Sequence, residues 1–83
     1  MTMTTLARLP HRCPARVDHI AALDGEDLIA RRLQVLGFVA GRRVEVLRAG
    51  PVGGDPLLVR IGDTRFALRR AEADRIQVRP EAA

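Results

Sequence analysis

The sequence has no lysine, no tryptophan and no tyrosine, and its 83 residues include one cysteine and two phenylalanines. A lone Cys13 excludes an intramolecular disulfide, and one cysteine cannot supply the ligand spacing of a zinc finger or an iron–sulfur site. A disulfide-built secreted domain is thereby excluded, and a reducing compartment fits. The N-terminal stretch Met1–Pro10 lacks the long apolar segment of a secretory signal, and no run approaches the ~20 apolar residues of a membrane helix. The expectation is a cytoplasmic protein with no direct membrane insertion, free to dock at the inner face of the membrane through a partner. Stacking of bases needs aromatic platforms, and Phe38 and Phe66, both expected inside, do not supply them.

What is present is compact and basic. The length allows one domain, residues 1–83, of the size that buries about 60–65% of its unfolded surface and is only modestly stable. Net charge is +4, and all 14 basic residues are arginine. Arginine binds carboxylates and phosphates through a planar fork of donors, so the charge points to polar interfaces. The Ala, Gly, Arg and Pro content also matches a GC-rich coding bias, and net charge speaks to association rather than to fold.

Residues 1–14, punctuated by Pro10 and Pro14, read as a short arm or turn before the first strand. Alternation predicts a strand over residues 16–20, with Val17 and Ile20 out of step. A helix is expected from about residue 25 to 36, capped by Asp24 with Asp27 answering it, and stapled by Leu23 against Leu28. Ile29, Leu33 and Leu36 recur at helical spacing and form its expected buried face. Gly37 then suits a left-handed cap, with Phe38 folding back on Leu33. Ala40-Gly41 suits a type II turn, and Arg43–Leu47 alternates with Val44 and Val46 on one face. Gly50–Pro56 reads as a long loop.

Strands are expected over residues 57–61 and 65–68. A type II′ turn at Gly62-Asp63 pairs Leu57 with Leu68 and Val59 with Phe66 on the apolar face, and leaves Leu58 and Arg60 facing Ala67 and Arg65 on the other. A helical turn over residues 71–74 and a strand over 75–79 complete a mainly β chain with one helix. Five short strands favour a closed or partly closed five-stranded barrel, because closure removes exposed edges.

The runs Leu36-Gly-Phe-Val-Ala-Gly-Arg-Arg-Val-Glu-Val46, Gly50-Pro-Val-Gly-Gly-Asp-Pro-Leu57 and Phe66-Ala-Leu-Arg-Arg-Ala-Glu-Ala73, followed by Ile76-Gln-Val78, resemble the bacterial ferrous iron transport protein A family, FeoA. The resemblance extends from about Leu6 to Arg79; Ala40 stands where the family often has proline. It implies an SH3-like barrel, akin to the C-terminal domain of iron-dependent repressors. It also implies a non-enzymatic accessory protein of ferrous iron uptake that binds the cytoplasmic part of the membrane permease FeoB and has no small-molecule substrate.

The chemistry-bearing residues are few. His11, Cys13, Asp18 and His19 are the candidates for a transition metal, but two ligands on an extended arm fall short of the three or four that a stable site needs. No metal site, cofactor or catalytic residue is assigned. Glu26-Asp27 is explained by a helix N-terminus, and the glycines of residues 50–56 lack the Lys and Ser/Thr of a phosphate loop. Arg60, Arg65, Arg69 and Arg70 gather on the last hairpin and are the candidate partner-binding residues, suited to an acidic patch. Two other classes remain: a small nucleic-acid-binding barrel, motivated by the pI near 11.2, and a metal-sensing regulatory domain.

Overall fold

The computed structural model describes residues 3–22, 25 and 27–81. Among these residues six antiparallel strands form one rolled sheet: β1 (Thr4–Thr5), β2 (Ala15–Ile20), β3 (Arg43–Gly50), β4 (Gly54–Ile61), β5 (Thr64–Leu68) and β6 (Ile76–Pro80), in the order β1-β6-β2-β3-β4-β5. Helix α1 (Leu28–Leu36) bridges β2 and β3, and the single turn α2 (Arg70–Ala73) bridges β5 and β6. The inward side chains of the strands, including Val17, Val44, Val46, Leu57, Val59, Ile61, Leu68, Ile76 and Val78, form one apolar core with Leu33 and Phe38.

The hairpin register follows the alternation of the two strands. Leu57 pairs with Leu68, Val59 with Phe66, and Arg60 with Arg65. Gly62 has φ +57° and Asp63 does not share a positive φ, the pattern of a type II′ turn rather than I′. At the end of α1, Gly37 takes φ +108°; its N–H donates to the Gln34 carbonyl, and the Phe38 N–H donates to that of Leu33. These are the two bonds of a Schellman motif, and they turn the Phe38 ring into the core. The Val39–Arg42 turn is closed by the Arg42 N–H on the Val39 carbonyl at 3.1 Å.

Five expectations are corrected. The N-terminal segment is not an arm. Thr4–Thr5 pairs with β6, and a 3-10 turn, Leu6–Arg8, carries Leu6 and then Leu9 into the core. The sheet therefore has six strands, not five; a two-residue strand is too short to leave a periodic signal. Helix α1 starts at Leu28, with Asp27 as its cap accepting from the Ala30 N–H at 3.1 Å. The proposed Asp24 cap and the Leu23 side of the staple lie outside the described residues, and Leu28, its other side, is exposed.

The buried face of α1 is Ala30 and Leu33, flanked by half-buried Leu36, while Ile29 is 44% exposed. The stripe that meets the core therefore runs through Ala30 and Leu33 and leaves Ile29 to one side. Residues 50–56 are not a long loop. β3 runs to Gly50 and β4 begins at Gly54, paired directly across a tight turn. Val17 and Ile20 are out of step because the β2–β6 register shifts between Val17 and His19, which leaves Asp18 as the extra residue of a bulge.

Candidate partner-binding site

The outer face of the β3–β4–β5 meander holds the candidate site. Antiparallel pairing places Glu45 opposite Arg60, Arg60 opposite Arg65, and Arg48 opposite Leu58. β3 slips register between Val46 and Arg48, so Leu47 is accommodated as a bulge and Arg48 rejoins the outward face. Arg12 comes from the turn before β2. Its N–H donates to the Val46 carbonyl at 2.7 Å, and it alone among the described non-glycine residues has a positive φ, 61°. A left-handed arginine costs about 1 kcal/mol, so the surrounding turn over-determines it.

The result is a shallow cleft of about 240 Å³ lined by Arg12, Leu47, Arg48, Leu58, Arg60 and Arg65. Two leucines floor it and four guanidinium groups surround it. One carboxylate answers them: Arg60 donates to Glu45 at 2.9 Å. Among the described residues, no ion pair reaches Arg12, Arg48 or Arg65. Exposed pairs such as Arg60–Glu45 contribute about 0–1 kcal/mol, so the cleft keeps a net positive field.

Of the four arginines expected on this surface, Arg60 and Arg65 come together here. Arg69 and Arg70 lie beyond the end of β5, at the start of α2, and do not line the cleft. Arg70 holds the fold: its N–H donates to Asp55 at 2.9 Å and its guanidinium to the Ala7 carbonyl at 3.2 Å. Arg69 donates its N–H to Glu72 at 3.0 Å, which closes the first turn of α2. Sequence reasoning missed Arg48 and Arg12. Arg48 is out of phase with Glu45 until the bulge is known, and Arg12 is placed by a long-range backbone bond without local signature.

The metal candidates do not converge. His19 Nδ1 lies 2.5 Å from the Asp18 carboxylate, which also pairs with Arg79 at 2.6 Å. Cys13 is half-buried and its Sγ points to the Pro14 carbonyl at 3.9 Å. Among the described residues, no group of three His, Cys, Asp or Glu side chains could hold a metal ion. No described helix is long and apolar enough to cross a membrane.

A small rolled antiparallel sheet with one short helix and a basic outer cleft defines the class, an SH3-like barrel. The FeoA domain family matches residues 4–80, and the chain belongs to this family, one of ferrous iron transport. A solved FeoA from Stenotrophomonas maltophilia, complexed with zinc and described as a prokaryotic SH3 domain protein, is 52% identical with a TM-score of 0.81, covering 90% of this chain and 88% of that one. FeoA from Chlorobium tepidum is 35% identical with a TM-score of 0.81, covering 95% of this chain and 71% of that one. IdeR of T. acidophilum shares the fold alone, at 18% identity and a TM-score of 0.76, covering 98% of this chain and 35% of that one. A fusion of Fe(2+) transport protein A with the Fe(2+) transporter FeoB, from Porphyromonas gingivalis, is 34% identical over 59 residues. That match takes in 71% of this chain, which spans 7% of the fusion protein's length.

Proposed function

We propose that the chain acts as one non-enzymatic, cytoplasmic FeoA-like domain that assists ferrous iron uptake by binding the cytoplasmic part of an FeoB-type permease through its arginine face. The observation that carries this reading is the Porphyromonas protein, in which the transport protein A and FeoB sequences are one polypeptide. A covalent link holds two modules at high effective concentration, an arrangement that serves partners working in contact. The Stenotrophomonas relative has been put forward as a ferrous iron transport activating factor, which fits an accessory role.

The cleft supports the same reading. Arg60 and Arg65, joined by Arg12 and Arg48, present forked donors that match carboxylates on a partner, and Leu47 and Leu58 offer apolar contact between them. Arg69 and Arg70 flank this surface from the start of α2. With two leucines and no aromatic on the floor, the cleft suits a protein surface rather than stacked bases.

The test is complementation. Cells lacking the chain receive either the wild type or the Arg60→Glu, Arg65→Glu double variant, and ferrous iron uptake is measured. The expected result is restored uptake with the wild type and impaired uptake with a folded, equally abundant double variant. Equal uptake by both would remove the arginine face from the mechanism.

A further inference from the structure

Among the described residues, strand β5 is one free edge of the sheet, with β4 as its only neighbour. In a two-residue hairpin the pair flanking the turn exchanges both backbone bonds, and bonded and non-bonded pairs then alternate. Ile61–Thr64, Val59–Phe66 and Leu57–Leu68 are therefore the bonded pairs, and Arg60–Arg65 and Leu58–Ala67 are not. The N–H and C=O groups of Arg65 and Ala67 point away from β4, along the open edge. No hydrogen bond from any described residue reaches them.

The opposite edge is blunted, because β1 is two residues long and runs straight into a 3-10 turn. β5 is five residues long and has neither a proline nor a register shift. A bare edge of this kind is a template for another strand.

We infer that this edge receives an extended acidic segment of the protein partner, which adds to β5 as a seventh strand; the inference rests on the arginine-face reading above. The occupant's chemistry follows from the two faces of β5. A residue opposite Arg65 would share its outer face at about 5 Å between Cβ atoms. A carboxylate there meets Arg65 and lies beside the cleft that holds Arg12, Arg48 and Arg60. A residue opposite Phe66 faces inward, where the half-buried Phe66 ring stands 6.3 Å from that of Phe38 and extends the core to this edge. An apolar side chain suits that position. The matching segment therefore alternates acidic and apolar residues. A second copy of this chain, itself carrying +4, is a poor match for the same edge.

The backbone component can be separated from the charges. Ala67→Pro removes an outward N–H and no bond to β4, the position at which edge strands accept proline. Ala67→Val keeps the N–H and adds bulk on the same face. The full-length chain is titrated with the isolated cytoplasmic part of an FeoB-type permease, and backbone hydrogen exchange is followed residue by residue. Strand addition predicts that Ala67→Pro binds about tenfold more weakly than Ala67→Val, which differs from it in keeping the N–H. It also predicts slowed exchange of the Arg65 and Ala67 amides in the wild-type complex.

If Arg60→Glu, Arg65→Glu abolishes binding while Ala67→Pro binds normally and neither amide is protected, strand addition is overturned and the arginine face stands. If none of these variants changes binding, both fall. Protection of the two amides in the chain alone, rising with its own concentration, would assign the edge to self-association and overturn the inference.

Discussion

Asp18 occupies the bulge of β2 with its carboxylate between the His19 imidazole and the Arg79 guanidinium. The hydrogen bond with His19 holds its carboxyl below the ordinary value of 3.8; the loss of solvent opposes this, and the positive charge of Arg79 adds to it. A carboxyl held low in the folded chain stabilises the fold above the ordinary value, and the contribution disappears as pH falls through the lower folded value. Asp18→Asn should therefore be less stable than the wild type near neutrality, with the gap closing below about pH 4. Urea midpoints of the two proteins between about pH 7 and about pH 3 check this, and a pH-independent gap would contradict it. Helix α1 supplies a second contrast, since Leu33 is 0% and Val35 86% exposed. Leu33→Ala should cost about 2–5 kcal/mol, enough to unfold a marginal domain. Val35→Ala should stay within about 0.5 kcal/mol. Equal urea midpoints for the two variants would place α1 wrongly on the barrel.

At the scale of elements, connections do much of the fold's work. Asp27 caps α1 and also accepts two bonds from the Arg75 guanidinium, which donates further to the Ala21 carbonyl. That fork ties the start of the helix to the turn before β6, and the bond with Asp27 raises the Arg75 pKa further above its ordinary range. Arg32 pairs with Glu72 and so links α1 to α2. The β3–β4 turn is equally constrained: a Cβ on Gly50 would stand 2.6 Å from the carbonyl oxygens of Asp55 and Pro56. Gly50→Ala should cost about 1–3 kcal/mol, because backbone rather than a flexible side chain would have to move. An unchanged melting curve would show that the turn can open.

These elements also show what was readable in advance. The β4–β5 register was legible because alternation and a two-residue turn fix pairing locally, and the helix end was legible because Gly37 and Phe38 complete a short-range motif. The six-strand count, the buried Leu6 and Leu9 and the shifted face of α1 were not. Each depends on contacts between residues far apart in the chain, which local periodicity does not record. The cleft divides in the same way: Arg60 and Arg65 follow from register, whereas Arg48 needs a bulge and Arg12 a long-range turn.

The molecule as a whole is a small basic barrel whose core faces away from its charges, so the arginine face can be altered without touching the core. Arg60 and Arg65 are both exposed and directly paired across β4 and β5. Reversing both should leave the chain folded at a cost of about 1 kcal/mol, the scale of the exposed Arg60–Glu45 pair that is lost. The electrostatic share of partner binding should also fall with salt, as the screening length drops from about 10 Å at 0.1 M to about 3 Å at 1 M. The most direct measurement is the dissociation constant of the full-length chain for the cytoplasmic part of an FeoB-type permease, at low and high salt, for the wild type and for Arg60→Glu with Arg65→Glu. The account predicts wild-type binding that weakens with salt, and a folded double variant that binds weakly at both. Equal, salt-independent affinity of the two proteins would contradict it.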